Sequence, residues 1–373
     1  MLAERFDVTL AAFDEGESGS AGASVFEGLG VRVRTVPLSR FARLARLGGA
    51  LVTGEPLQIA YYRDEAMRRL VTSSLPAGQS YDAVVCHLVR TAPYAAAAPT
   101  RVRLLSLCDS MALGLERRMR HAPWLERPSI GLEHARMRRF ESSVLDDFDE
   151  GWLVSGVDLA EFPGDTRKIR VIPNGVDARL LEGDIPEDPP SVIGFHGHFR
   201  VPHNVDAAGF LVREVLPRLR ARGIETKVRF IGADPAPAVR ALASVPGVEV
   251  RGYVEDLRSV LQEYRVLCAP LRFSAGIQNK LIEALAAGVP VVSATSAIEA
   301  LGGAPSSIAQ GADDPEAYAA AIAQQWARGE ERMHALVAAR EWVRLQFRWE
   351  NFADRVSAWI AGTGGATGPV RQS

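Results

Sequence analysis

The segment between residues 265 and 294 constrains the fold of this chain most strongly. An apolar run, RVLCAP, leads into a loop that contains Gly276, and this loop feeds a predicted helix over 278–287. Gly288 stops that helix, and a second apolar run, PVVSA, follows it. Strand, glycine loop, helix and strand form a βαβ unit, so the loop lies at the carboxyl edge of a parallel sheet.

The same loop has the features of an anion site. The first N–H groups of the helix point outward with a partial positive charge. Lys280 lies in the first turn, where a cation opposes the helix dipole unless it serves a ligand, and Glu283 follows at i+3 on the same side. Of the 43 lysines and arginines only three are lysines, which indicates a need for a compact ammonium here. A solvated lysine on a surface helix is the alternative, and this segment alone favours neither.

Apolar strand-like runs alternate with helical stretches along the chain, which indicates parallel sheets in two doubly wound α/β domains. The runs lie at residues 7–13, 31–38, 82–88, 101–109, 151–155, 169–177, 191–197, 226–232, 248–254, 265–270 and 290–294. Helical spacing is found over 204–222 and 314–328. The acidic, proline-rich stretch 180–190 is the predicted linker. Residues 361–373 have the composition of a disordered tail.

Length and charge exclude several classes of protein. A chain of 373 residues is too long for one ordinary core. The formal net charge of −2 argues against a general nucleic-acid binder. Cys86, Cys108 and Cys268 are too scattered for a metal knuckle, and no stretch approaches the ~20 apolar residues of a membrane span. The N-terminus lacks the pattern of a secretory signal, so we predict a cytoplasmic protein.

Five sequence blocks occur in an order and spacing that is typical of one family. They are VIPNGVD (171–177), FHGHFRVPHNVDAAGFLVREVLP (195–217), VRFIGADP (228–235), VEVRGYVEDLRSVL (248–261) and APLRFSAGIQNKLIEALAAGVPVVSA (269–294). With these blocks the chain resembles the retaining glycosyltransferases of the GT-B fold, specifically glycosyltransferase family 4. The resemblance covers about 171–302, and more weakly 82–170.

The resemblance implies two Rossmann-like, doubly wound domains that face a cleft. Residues 1–182 would form the acceptor-side domain and 183–345 the domain that binds the nucleotide sugar. A helix over 346–360 would cross back to the first domain, ahead of the tail. The chain begins with MLAER, which reads like the last turn of a helix, and goes straight into a strand. We therefore expect that the first βα unit of the N-terminal domain is missing and that the coding sequence starts further upstream.

The resemblance also implies the reaction. A sugar would pass from a nucleoside diphosphate, such as a UDP-, GDP- or dTDP-sugar, to a hydroxyl of a small molecule, a glycan or a lipid-linked acceptor, with retention and without a metal ion. The nucleotide sugar is the substrate, so no cofactor is expected. The alternative is a non-catalytic subunit that binds sugar nucleotides and supports a partner enzyme.

Individual donor-site roles follow from the resemblance residue by residue. Glu283 matches the second glutamate of the E-x7-E motif, which binds the ribose hydroxyls. Ala275 replaces the first glutamate, which is compatible with a deoxy or modified donor sugar, with contacts from Ser274 or Gln278 in its place, or with weak catalysis. His198 occupies the position of the family's phosphate-binding arginine, and Arg200 is the predicted substitute. The predicted phosphate-binding residues are Arg200, Gly276, Ile277 and Lys280, and the predicted base-binding residues are Tyr253 and Val254, although Tyr253 suits a core position equally well.

On the acceptor side, His87 and Asp109 end two successive strand-like runs and are the candidates for contact with the donor sugar or acceptor; a structural role is the alternative for each.

Two further patterns predict no site. Asp147 and Asp149 spell a D-x-D pattern, which belongs to glycosyltransferases of another fold, so no metal site is predicted. Arginines at 40, 43 and 46 suit an anionic membrane surface, but ordinary solvated helix faces explain them better, so peripheral membrane contact is not supported.

Overall fold

The protein is described by a computed structural model that covers residues 1–14, 19–38, 40–73, 78–326 and 330–362. In chain order its strands and α-helices are β1 Thr9–Asp14, α1 Gly19–Gly28, β2 Arg32–Pro37, α2 Arg40–Thr53, α3 Leu57–Tyr62, α4 Glu65–Ser73, β3 Tyr81–His87, β4 Thr100–Cys108, α5 Met111–His121, α6 Arg127–Ser143, β5 Glu150–Leu153, α7 Gly156–Glu161, β6 Ile169–Val171, β7 Val192–His196, α8 Pro202–Phe210, α9 Leu216–Ala221, β8 Lys227–Ile231, α10 Pro237–Arg240, β9 Val248–Arg251, α11 Leu257–Leu261, β10 Val266–Ala269, α12 Asn279–Ala286, β11 Val291–Ser293, α13 Thr295–Glu299, β12 Ala309–Gly311, α14 Pro315–Gln325, α15 Glu330–Gln346 and α16 Trp349–Ile360.

The order of these elements confirms the predicted α/β class. Each predicted apolar run overlaps a strand, and all the strand pairs are parallel. Short 3-10 helices lie at Val89–Ala97, Val144–Asp147, Ala178–Leu181 and Ala241–Ser244, and a π-helical stretch, Leu211–Val215, joins α8 to α9. Among the described residues, no helix is both long enough and apolar enough to cross a membrane.

The chain divides into two compact units. Unit 1 comprises residues 1–154, 158–172 and 350–373, and unit 2 comprises 155–157 and 173–349. The division falls after residue 172 rather than at the predicted 182, so the predicted linker 180–190 lies inside unit 2. The predicted tail falls, from residue 363 onward, outside the described residues.

Unit 1 contains two separate parallel sheets. β1 pairs with β2, while the other four strands form a sheet in the order β3-β4-β5-β6. The main core lies on the larger sheet, where strand residues such as Leu105 and Leu153 pack with Met137 of α6. Tyr94, in the 3-10 helix that follows β3, contacts the smaller sheet, because its ring centroid lies 6.3 Å from that of Phe13 in β1. Its hydroxyl donates to the Tyr62 carbonyl of α3.

The last helix, α16, packs on unit 1. Val356 and Trp359 of α16 form a buried cluster with Leu104, Trp152 and Ile172. The rings of Trp152 and Trp359 stack with 5.6 Å between centroids. The spacing of Phe352, Val356 and Trp359 at i, i+4 and i+7 places them on one face of the helix, and this apolar face packs against the sheet.

Unit 2 is a single six-stranded parallel sheet in the order β12-β11-β10-β7-β8-β9. The chain runs outward from β7 through β8 to β9, then returns to β10 on the other side of β7 and continues to β12. The strand order therefore reverses between β7 and β10. In open α/β sheets a ligand crevice forms outside the carboxyl ends of the strands at such a reversal. The residues that follow β7 and β10 therefore lie where a ligand of such a sheet binds.

Candidate nucleotide-sugar site

The loop after β10 and helix α12 form one side of the reversal point. α12 is almost wholly buried, with Leu281, Ile282 and Leu285 inaccessible to solvent, which fixes the helix firmly beside the sheet. Gly276 takes a φ of +68° in the preceding loop, a left-handed conformation that favours glycine. The loop thus turns the chain so that the N-terminus of α12 lies at the carboxyl edge of the sheet.

The loop side chains form a short hydrogen-bonded chain that ends at Lys280. The Gln278 amide donates to the Ala275 carbonyl at 2.9 Å, and the Lys280 ammonium donates to the Gln278 side-chain oxygen at 3.1 Å. Ser274, Ile277 and Gln278 are all buried. The Gln278 side chain therefore fixes the loop through its bond to the Ala275 carbonyl, and it orients Lys280 through its own side-chain oxygen.

Lys280 is a buried ammonium with few partners. Its side chain is only 8% exposed, and the Gln278 oxygen is the acceptor that the structure gives it. Burial lowers the pKa of Lys280 to about 8, against the opposing influence of the Glu283 carboxylate. An ammonium has three N–H donors, and a buried cation without full hydrogen bonding is costly. An anion at the helix N-terminus would supply the acceptors that the lysine lacks.

Gly197, directly after β7, makes room for this lysine. A Cβ built at Gly197 would lie 3.2 Å from Cε of Lys280, and the glycine has a φ of +151°. The ring centroid of Phe195, in β7, lies 5.9 Å from the ammonium nitrogen. The strand end and the helix therefore enclose the lysine stem and leave its head at the edge of the sheet.

Glu283 lies one turn further along α12 and is held by a histidine that sequence reasoning missed. Nε2 of His196, the last residue of β7, lies 2.8 Å from Oε2 of Glu283. His196 is 5% exposed, and its Nδ1 is buried without a hydrogen-bond partner. Its position at the end of an apolar run marks His196 as a candidate in the sequence. Only the order of the strands, however, shows that β7 lies beside β10 and so brings His196 to Glu283.

Lys280 and burial keep a neighbouring histidine neutral. Burial and the Lys280 cation together lower the pKa of His203, in the first turn of α8, to about 4. The imidazole is therefore neutral near pH 7, and Lys280 is the cation of this cluster. Asn204, the next residue, donates to the His198 carbonyl at 3.0 Å and fixes the loop after β7.

The other predicted donor-site residues are Arg200, Tyr253 and Val254, and their contacts lie outside the cluster of Lys280 and Glu283. Arg200 is exposed and forms an ion pair with Asp234, and it lines a shallow depression with Pro235 and Arg240. Tyr253 is 76% exposed, so the core position that was its alternative is excluded. Val254, beside it after β9, is half-buried. Their roles toward phosphate and base stay predictions.

In unit 1 the structure brings His87 and Asp109 to the same edge of the larger sheet. His87 ends β3 and Asp109 follows β4, its neighbour. Nδ1 of His87 lies 3.2 Å from the Ser106 hydroxyl and 3.8 Å from Sγ of Cys108. Desolvation and the nearby Arg90 cation lower the pKa of His87, while desolvation raises that of Asp109.

Of the two acidic residues in the D-x-D pattern, Asp149 binds a backbone amide. The Asp149 carboxylate accepts a hydrogen bond of 2.7 Å from the Arg103 amide. In the described part of the chain, no group of three or more His, Cys, Asp or Glu side chains is arranged to hold a metal ion.

Comparison with known proteins gives a family match within unit 2. Residues 190–328 match a family model described as "Glycosyl transferases group 1". No curated protein sequence matches the chain significantly.

Solved structures match nearly the whole chain at low identity. HepE from Anabaena, in complex with UDP and glucose, is 14% identical with a TM-score of 0.65, over 96% of this chain and 94% of that one. Sucrose-phosphate synthase from Thermosynechococcus elongatus is 15% identical with a TM-score of 0.64, over 96% and 100%. A UDP-forming α,α-trehalose-phosphate synthase from Burkholderia vietnamiensis is 12% identical with a TM-score of 0.61, over 95% and 100%. The chain therefore has the GT-B fold of these glycosyltransferases. Unit 2 contains the segment that matches the group 1 family model.

Proposed function

We propose that this protein is a glycosyltransferase that moves a sugar from a nucleoside-diphosphate sugar to an acceptor hydroxyl. One observation carries the proposal: α12 presents a buried, under-coordinated Lys280 ammonium and a Glu283 carboxylate held by His196 at the reversal point of the sheet. A cation and an acceptor one helical turn apart match the two ends of a nucleoside diphosphate.

The donor would bind along α12. Its phosphates would take the N–H groups at the start of the helix and the Lys280 ammonium, and the leaving diphosphate would be stabilised there as its negative charge grows. Glu283 would accept hydrogen bonds from the ribose hydroxyls. The exposed Tyr253 ring offers a face on which a base can stack.

A uridine nucleotide is the first donor to test. Structures of HepE similar to this chain contain UDP, UDP-glucose, or UDP and glucose. The similar trehalose-phosphate synthase is described as UDP-forming.

The transfer itself is proposed to proceed with retention and without a metal ion. The acceptor oxygen would bond to the anomeric carbon on the face from which the diphosphate departs, and its proton would pass to the departing phosphate oxygen. The products are the glycoside and the nucleoside diphosphate. His87 and Asp109 are proposed to hold the acceptor or donor sugar by hydrogen bonds, and a cytoplasmic location is part of the same proposal.

Ala275 favours a second candidate function. The carboxylate that the family uses at this position on the donor sugar is replaced by a methyl group. A protein that binds sugar nucleotides to support a partner enzyme, without catalysis of its own, would tolerate this loss.

Calorimetry and a hydrolysis assay test both candidates. The purified protein is titrated with UDP and UDP-glucose, with GDP and dTDP as alternative nucleotides, and the release of free nucleotide from UDP-glucose is then followed with chelator present. Binding plus slow donor hydrolysis supports a transferase. Binding without turnover, also with acceptor extracts added, supports the second candidate.

Two variants locate the site. Lys280→Met should weaken nucleotide binding by roughly 1.5–3 kcal/mol, the cost of one charge-assisted hydrogen bond. Lys227→Met, which removes an exposed lysine from the same sheet, should bind like the parent. Equal affinities for all three proteins would place the nucleotide elsewhere.

A further inference from the structure

Arg90 in unit 1 has a fixed orientation and lacks an acidic partner. It lies in the first turn of the 3-10 helix that follows β3, and its guanidinium carbon is 4.9 Å from the centroid of the Tyr62 ring. Its Nε is buried without a hydrogen-bond partner. Among the described residues, no carboxylate lies within ion-pairing distance of Arg90.

Other arginines of unit 1 that are similarly half-buried have partners. Arg46 leaves its Nη1 without a partner but pairs through Nη2 with Asp64 at 2.5 Å, and Nε of Arg103 donates to the Ala95 carbonyl at 3.1 Å. Among the described residues, none accepts a hydrogen bond from Arg90. A buried N–H donor without an acceptor is uncommon in folded proteins and needs an explanation. For Arg90 the simplest explanation is a ligand that supplies the acceptor.

The backbone around Arg90 is strained at two strand ends. Leu88 follows β3 with a φ of +69°, and Cys108 ends β4 with a φ of +64°. The pairing of β4 with β5 shifts register between Ser106 and Cys108. Left-handed backbone at non-glycine residues costs about 1–3 kcal/mol each and persists where it serves a site. Both strained residues border the same edge of the sheet.

The Arg90 charge acts on the side chains at this edge. Its cation contributes to the lowered pKa of His87 and opposes the raised pKa values of Cys108 and Asp109. His87 faces solvent on one side while its Nδ1 contacts Ser106, so Nε2 remains for a ligand. A guanidinium fork and an imidazole N–H, with a carboxylate nearby, suit a ligand that carries both an oxyanion and hydroxyl groups.

We propose that Arg90 and His87 form a phosphate-binding subsite at the carboxyl edge of the larger sheet of unit 1. Asp109 would accept a hydroxyl hydrogen bond from the same ligand. The assignment of this ligand as the acceptor, hence a phosphorylated sugar or alcohol, rests on the proposed function; the phosphate subsite itself does not.

NMR of the histidine rings tests the subsite with inorganic phosphate as the probe. The background variant is Lys280→Met, which removes the cation of the proposed donor site. Phosphate should shift the His87 ring signal with saturation, and Arg90→Gln should weaken this binding by at least about tenfold. Arg90→Lys should give an intermediate affinity, because it keeps the charge and loses the fork.

The control is Arg101→Gln, at the amino end of β4, where Arg101 pairs with Asp82 at 3.8 Å. It should leave phosphate binding unchanged. Circular dichroism and urea denaturation show that the variants are folded, and in the folded Arg90→Gln protein loss of the cation should raise the His87 pKa. Absence of a saturable shift, or equal affinity in Arg90→Gln, would overturn the subsite whether or not the protein transfers sugars.

A second arm distinguishes the source of the phosphate. Sedimentation with vesicles that contain phosphatidic acid is compared with neutral vesicles, for the parent and Arg90→Gln. Retention that requires both phosphatidic acid and Arg90 identifies a lipid phosphate. A His87 response to free phosphate without vesicle binding identifies a soluble phosphorylated ligand.

Discussion

At the scale of single residues, Lys280 links ligand affinity to pH. Its pKa is lowered to about 8 by burial, and a bound phosphate would favour the charged form. The ammonium is present below this pKa and is lost as the pH rises through it. We therefore expect the affinity for UDP to fall between about pH 7 and pH 9. Calorimetry at both values checks this; Lys280→Met should remove most of the decline, and an unchanged decline would contradict the assignment.

The same buried lysine should lower the free energy of unfolding of the ligand-free protein. Its folded pKa of about 8 lies below its unfolded value, so the unfolded state binds more protons between the two, and stability rises with pH in that window. Each pKa unit is worth about 1.4 kcal/mol. Lys280→Met should thus raise the free energy of unfolding at pH 7, by up to about 3 kcal/mol, in urea denaturation. Loss of stability in this variant would show that the ammonium is well compensated in the free protein.

His196 is expected to act through Glu283. The contact of 2.8 Å between their side chains orients the carboxylate, so His196→Gln should weaken binding of UDP but leave binding of inorganic pyrophosphate unchanged. A double-mutant cycle with Glu283→Gln should give a coupling of about 1–2 kcal/mol. Additive effects of the two variants would mean that His196 serves the core rather than the nucleoside.

At the scale of elements, two glycines end helices in the same way and differ in their surroundings. Gly288 after α12 has a φ of +80° and Gly223 after α9 has a φ of +73°. In each case the following amide donates to the carbonyl five residues earlier, Val289 to Ala284 and Ile224 to Leu219. A Cβ at Gly288 would lie 2.6 Å from the Ile185 side chain, whereas a Cβ at Gly223 meets nothing within 4 Å.

Alanine substitution should separate backbone strain from steric conflict. Gly223→Ala should cost about 1–2 kcal/mol of unfolding free energy for the left-handed backbone alone. Gly288→Ala should cost roughly 1–3 kcal/mol more, because Ile185 must move. Denaturation of the two variants measures the difference; equal costs would mean that Ile185 relaxes freely.

At the scale of the whole molecule, α16 comes from the far end of the sequence but belongs to unit 1. Trp359 is 8% exposed and stacks on Trp152, so Trp359→Ala should destabilise unit 1 by about 3–5 kcal/mol. Hydrogen exchange should speed up in Thr100–Cys108 more than in Val266–Ala269. Trp124→Ala is the control, because Trp124 is 75% exposed and should change stability by less than about 0.5 kcal/mol. Uniform acceleration in both units would mean that they unfold together.

The sequence by itself determined most of the elements, because hydrophobic periodicity is a local property. The predicted helix 278–287 is observed as Asn279–Ala286, and the last helix as Trp349–Ile360. The strand Ala309–Gly311 was missed, since three residues without an apolar run give no signal. Gly288 was predicted to stop α12, and this helix ends at Ala286, two residues before it.

Only the tertiary structure decided which strand ends meet. The reversal of strand order between β7 and β10 brings His196 to Glu283 across 87 positions of sequence, and no local pattern encodes that pairing. The same holds for Arg200, whose ion pair with Asp234 depends on two loops that are separate in the sequence, and for the boundary between the units. Local periodicity reports which face of an element is buried, whereas the contacts of a site depend on how elements are ordered in space.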